Sequence, residues 1–163
     1  MLILPRSCLL HVPKTGGSWV KKAILASDIQ CEAFSPGGNH HPGLNECPAP
    51  DKFKFAFVRH PLGLYRSYWQ YKMTYGWDNR SAIDEYCHAD NFDAFVTRVI
   101  TRMPGVYSQS IADFVGTEQQ PIDFIGKYES LVEDLIKALT MAGCRFSENA
   151  IRALPPINVS NKE

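Results

Sequence analysis

The sequence holds no apolar run near the length of about 18 residues that a helical bilayer span requires, and it carries no net charge, with 17 Lys and Arg against 17 Asp and Glu. The first absence leaves no candidate for a membrane helix. The second argues against a non-specific binder of nucleic acid or of an anionic membrane. Cysteine is sparse and odd in number: Cys8, Cys31, Cys47, Cys87 and Cys144 are five scattered thiols, a set that fits reduced cysteines better than a disulfide framework. Cys31, His40, His41 and Cys47 fall close together, yet no Cys-x-x-Cys or His-x-x-x-His pair brings two ligands to one ion, so no metal is expected. There is no internal repeat or low-complexity tract. The apolar opening is broken by Pro5 and Arg6 and lacks a small-residue cleavage site, so no secretory signal is expected and the cytoplasm is the expected compartment.

What the sequence does have is the make-up of one ordinary domain: 163 residues, 45% hydrophobic and 21% charged, enough to bury a core without staples. Its charge is uneven. Residues 1–80 hold ten Lys and Arg against five Asp and Glu, whereas 81–163 hold seven against twelve. Such an imbalance fits either a solvated acidic surface or an anionic ligand held by the first half.

The pattern of apolar residues predicts strands alternating with helices. Ser7–Val12 reads as a buried strand that ends in Pro-Lys-Thr-Gly-Gly, followed by a helix over Ser18–Ala26 and a second strand over Ile29–Phe34. Ser35–Asp51 is too rich in Pro and Gly for a regular element, and a loop of that length is usually functional or mobile. Lys52–Arg59 is the clearest strand: Phe53, Phe55 and Phe57 share one face and Ala56 and Val58 the other, as a central parallel strand needs. Pro61 suits the first turn of a helix to about Tyr75. Asn91 is placed to cap a helix over Phe92–Met103, Asp123–Tyr128 reads as a short strand, and Ser130 with Glu133 reads as a capping box opening a helix that Gly143 ends. The expected fold is α/β, with a central parallel sheet flanked by helices in three layers and a ligand at the carboxyl ends of the strands.

Two strand ends carry chemistry. In Lys14-Thr15-Gly16-Gly17-Ser18-Trp19 the glycines let the backbone approach an anion, the following helix N-terminus points amides at it, and Lys14 adds a full charge. It is not a Walker A loop, whose lysine follows the last glycine and precedes a magnesium-binding hydroxyl. The plain alternative is a tight strand-to-helix turn with a surface lysine. At the second strand end, Arg59 offers a planar fork of donors suited to phosphate, and Ser67 lies two turns along the next helix. An arginine in this position also commonly pairs with a carboxylate.

Taken together, these residues resemble the sulfotransferases that use 3'-phosphoadenosine 5'-phosphosulfate as donor, in their carbohydrate-type and bacterial branches, and the resemblance covers most of the chain. His11-Val-Pro-Lys-Thr-Gly-Gly-Ser18 is similar to that family's 5'-phosphosulfate loop. Phe53-Lys-Phe-Ala-Phe-Val-Arg-His-Pro61 with Tyr65-Arg-Ser67-Tyr68 is similar to its 3'-phosphate strand and helix. Ile125–Leu135 and Leu154–Ser160 match later landmarks.

The resemblance implies a P-loop-like fold in which Lys14, Thr15, Gly16, Gly17, Ser18 and Trp19 surround the 5' end of the donor and Arg59 and Ser67 hold the 3'-phosphate. It implies in-line transfer of a sulfuryl group to the hydroxyl of a small molecule or carbohydrate, without a metal. A loop histidine then serves as general base, and His41 is preferred over His40 because Glu46 follows it by five residues, in register with the bacterial pattern. A histidine has the proton affinity for this work at neutral pH, and Lys14 and the loop amides are suited to the charge that develops on the leaving phosphate.

The sequence departs from the family at His60, where Asn or Asp is usual, and at Gly17-Ser18. Many relatives also continue beyond the point where this chain stops, which implies either a minimal enzyme or a truncated one. Two other readings stand beside this one. A P-loop kinase-like phosphotransferase is disfavoured by the displaced lysine and by the lack of an obvious magnesium carboxylate. A silent module that binds the nucleotide without transfer is favoured by the short C-terminus. The aromatic set Tyr65, Tyr68, Trp69, Tyr71, Tyr75 and Trp77 either packs into a core or interface or offers rings for a sugar or phenol to stack on.

Overall fold

The structure is a computed structural model that describes residues 1–78 and 81–157. It is an α/β fold around a five-stranded mixed sheet of order β3-β1-β2-β4-β5. The strands are β1 (Leu2–Ile3), β2 (Ser7–Leu10), β3 (Glu32–Ala33), β4 (Phe53–Val58) and β5 (Phe124–Lys127). The helices are α1 (Gly17–Ala26), α2 (Pro61–Tyr75), α3 (Ala82–Cys87), α4 (Phe92–Arg102), α5 (Val106–Val115), α6 (Leu131–Met141) and α7 (Glu148–Ala153). No helix among the described residues is long and apolar enough to cross a membrane.

The chain divides into two compact units, one comprising Met1–Arg59 with the described residues from Ile111 onward, the other His60–Ser110. In the first, β2, β4 and β5 run parallel, with Leu10 opposite Ala56 and Val58 opposite Lys127. Alternation along these strands sends side chains to two faces. Leu9, Phe55 and Phe57 join Trp19, Val20 and Ile24 of α1, Leu135 and Leu139 of α6, and Ile151 of α7. Leu10, Val12 and Ala56 join Met1, Phe114 and Ile122. Both faces of the central strands are therefore covered, as the apolar runs require.

The sheet is not wholly parallel, and this corrects the expectation of a parallel sheet. β1 pairs antiparallel with β2 on one side and with β3 on the other. The apolar opening residues supply β1, since Leu4 N donates to Ser7 O (2.8 Å) and turns the chain straight back into β2. β3 is thereby held away from β2, and only Glu32–Ala33 of the expected Ile29–Phe34 strand pairs.

The link from β5 to α6 also differs from expectation. Asp134 Oδ2 accepts from the Lys127 amide (2.7 Å) and from Ser130 Oγ (2.8 Å), while the Glu133 carboxylate pairs with Arg152. Ser130 makes no side-chain cap, so the capping box is replaced by a bridge centred on Asp134. Gly126 follows from packing: a Cβ there would lie 2.6 Å from Cε1 of Phe57.

The second unit is helical. Asn91 caps α4 as expected, its Oδ1 accepting from Ala94 N (2.9 Å). Phe95, Val99, Cys87 and Ala89 form its core, and Tyr65, Tyr68, Trp69 and Trp77 pack against it. Tyr71 and Tyr75 instead remain exposed, ring centroids 4.7 Å apart. Beneath α2, Asp84 is fully buried and accepts from Tyr68 Oη (2.6 Å) while its other oxygen lies 2.5 Å from Lys72 Nζ. Burial alone would lower the Lys72 ammonium, but Asp84 and Asp78 outweigh it and hold it above its ordinary value.

Candidate functional site

Parallel strands bring their carboxyl ends to one rim, and in the first unit that rim carries His11, the Lys14–Ser18 loop, Arg59 and Tyr128. The loop is shaped by two unusual backbone positions. Lys14 has φ 64° and Gly16 φ 84°, the left-handed region in which a side chain is strained and glycine is not. Gly16 has no room for a Cβ either, which would sit 2.7 Å from Leu131 Cδ2 and 3.1 Å from Tyr128 Cδ2. Its carbonyl accepts from the amides of Trp19 (2.9 Å) and Val20 (3.0 Å) and so opens α1. The first amides of a helix have no partner within it, which suits them to an anion.

The side chains of this loop divide in role. Thr15 is buried, and its hydroxyl is spent on Val12 O (2.8 Å). Trp19 lies in the core. These two can offer a ligand only their backbone. Ser18 is exposed and Lys14 partly buried.

Arg59, just beyond β4, donates from Nη1 to the carbonyl of Lys14 (3.2 Å), and its guanidinium lies 4.0 Å from the centre of the Tyr128 ring. Such a face-on cation contact restrains the arginine without consuming its donors. Tyr128 falls within the Ile125–Leu135 landmark, which implies no role for it. Its position directly after the third parallel strand is the signal that marks it.

The long loop after β3 returns to the same rim. It contains turns at Pro36–Gly38 and Leu44–Glu46. Of its two histidines, His40 is exposed, whereas His41 is partly buried and its Nδ1 lies 2.9 Å from His11 O. A carbonyl has no proton to give, so Nδ1 carries the hydrogen and the neutral ring keeps its lone pair on Nε2. The His41 amide is held by Asn39 Oδ1 (3.0 Å). Glu46, five residues beyond His41, uses its carboxylate to accept from the Gly43 amide (2.9 Å). Glu46 thus closes the turn after His41.

His11 is the residue that motif reading left without a function. Its ring centroid lies 4.7 Å from that of His41, tilted by 56°. Burial first, then His41 and the Met1 amino group, lower its pKa from 6.5 to about 4, so it is neutral at physiological pH. Cys8, three residues earlier in β2, is held as a thiol, its pKa raised to about 12 chiefly by burial.

Ser67 stands on α2 in the second unit, partly buried. Of the Leu154–Ser160 landmark, the part from Asn158 on lies outside the described residues. Among the described residues no group of three or more His, Cys, Asp or Glu is placed to hold a metal ion. Compared with protein-family models, curated proteins and solved structures, the chain matches none.

Proposed function

We propose that the protein is a sulfotransferase with a P-loop-like nucleotide site that takes 3'-phosphoadenosine 5'-phosphosulfate as donor and a hydroxyl group as acceptor. One observation carries the reading: the His41 ring is fixed by the carbonyl of His11, three residues before the glycine loop begins at Lys14. A proton acceptor and an anion-binding loop thus share one strand end, as a transfer from an anionic donor to a hydroxyl needs.

Gly16 and Gly17 pack without a Cβ against Leu131, Tyr128 and His11, and the left-handed turn at Gly16 leads into the α1 N-terminus, whose amides support an anionic donor. The α1 amides, Lys14 and Ser18 would hold its 5' end, and Arg59 its 3'-phosphate. The donor supplies the activated sulfuryl group. The chain's residues then divide the work. His41 Nε2 takes the proton of the acceptor hydroxyl as that oxygen attacks sulfur. Lys14 and the loop amides oppose the negative charge that grows on the 5'-phosphate. Arg59, braced on Tyr128, keeps the loop closed through Lys14 O.

The deciding experiment is turnover of labelled donor against a panel of sugar and phenol acceptors in EDTA, with ATP and magnesium as the control. Sulfated product that disappears in His41→Ala establishes the reading. Binding of the adenosine bisphosphate without product, or transfer only from ATP with magnesium, refutes it.

A further inference from the structure

Gly17 poses a question that its backbone does not answer. Unlike Gly16, it has no left-handed φ and it occupies the first position of α1, where alanine is readily accommodated. The obstacle is a single side chain. A Cβ on Gly17 would fall on the His11 imidazole, meeting Nε2, Cδ2 and Cε1 together. The same imidazole meets the His41 ring, with centroids 4.7 Å apart. The His11 ring therefore touches both the first turn of α1 and the ring proposed as base, while its own carbonyl holds His41 Nδ1.

We propose that His11 is a positioning residue that couples the donor loop to the base: its ring, seated on Gly17, keeps the His41 ring in the one orientation that turns Nδ1 to the His11 carbonyl and leaves Nε2 for the acceptor. This rests on the sulfotransferase reading for its catalytic meaning, but not for its geometry. The depressed proton affinity of His11 serves the arrangement. A neutral His11 does not repel the His41 cation formed as the hydroxyl proton arrives, whereas a charged one would. The groups that face His11 are His41 and the Met1 amino group, and neither is an acid that would draw a proton onto it.

The test is a cycle of His11→Ala, Gly17→Ala and the double variant, read first by the imidazole ¹⁵N spectrum of His41 in the resting protein. The unaltered protein should show one tautomer, protonated at Nδ1. His11→Ala should give mixed tautomers, and so should Gly17→Ala, whose methyl displaces the His11 ring. In the His11→Ala background, Gly17→Ala should add nothing further, because the ring it strikes is gone. In turnover, His11→Ala should lower kcat by about tenfold to a hundredfold, the scale of a misplaced catalytic group, with donor KM within about twofold, whereas Gly17→Ala, which also alters the donor loop, is read by the His41 spectrum alone. Additive effects of the two substitutions, or a His41 that stays a single Nδ1 tautomer in His11→Ala, would overturn the proposal. Should no acceptor be sulfated, the function proposed above fails, and the resting spectra still decide whether His11 orients His41. If His11→Ala does not fold, His11→Asn, shorter but able to fill part of the ring's place, carries the same cycle.

Discussion

Arg59 donates to the carbonyl of Lys14 across 3.2 Å, so the end of β4 holds the loop that follows β2. This gives the arginine two consequences rather than one. A charge-assisted contact to a 3'-phosphate contributes roughly 1.5–3 kcal/mol, so the unaltered protein should prefer 3'-phosphoadenosine 5'-phosphosulfate over adenosine 5'-phosphosulfate by about tenfold to a hundredfold. Arg59→Ala should erase that preference and, by releasing the Lys14 carbonyl, also weaken both donors. Lys14→Ala should slow both and leave their ratio intact. Titration calorimetry with the two nucleotides checks this, and an Arg59→Ala protein that still discriminates fully would sink it.

Gly16→Ala should destabilise the first unit by about 1–3 kcal/mol. The methyl must adopt a left-handed backbone and must also push into Leu131 Cδ2, 2.7 Å away. Denaturant unfolding of the variant, and of the same change with Leu131→Ala, separates the two causes. The second variant should recover the steric part only.

A buried ion pair makes the third prediction. Lys72→Met leaves the Asp84 carboxylate enclosed without its cation and should cost about 3–5 kcal/mol. Lys72→Met with Asp84→Leu should recover most of that, because no fully buried charge is then left behind, the second partner Asp78 (3.4 Å) being open to water. A double variant no more stable than the single in thermal unfolding would show that the pair is not the reason.

Acid should weaken the fold through His11. Its folded pKa, about 4, lies below the ordinary 6.5, so between these values the unfolded chain binds the proton that the folded one refuses. Stability from this group is complete above pH 6.5 and is lost as pH falls toward 4, by at most about 3 kcal/mol. His11→Phe should show a flatter decline over that window when denaturation is followed at pH 7 and pH 4.5. An unchanged slope would place the sensitivity elsewhere.

Much of this was legible in the sequence where the signal is local. Alternating Phe55, Ala56 and Phe57 disclosed a strand buried on both faces, Asn91 announced a cap that forms, and Pro61 opened its helix. The sharp turn of the glycine loop was readable because a left-handed backbone position favours glycine, as at Gly16 (φ 84°). Long-range partners were not readable. Nothing near Ser130 reveals that Asp134 takes its hydroxyl, or that Arg152 draws Glu133 away from the capping box. β1 was missed because two residues carry no period, and α3 and α7 because six residues span fewer than two turns. His11 and Tyr128 were visible only as members of motifs. Their rings meet Gly17, His41 and Arg59 across the fold, and no spacing along the chain records such meetings.

The two rims of the sheet bear on how copies of this chain behave in a crowded solution. An unpaired strand edge invites the same edge of a neighbour to add to it, and repeated addition builds fibres. One edge is β3, two exposed residues long, too short to hold a visiting strand. At the other, β5, the Lys127 amide is already taken by Asp134. Replacing Asp134 with alanine would return a free donor to an edge that also exposes Ile125. The bridge that fixes the turn into α6 thereby also withholds an edge donor from a strand of a neighbouring copy.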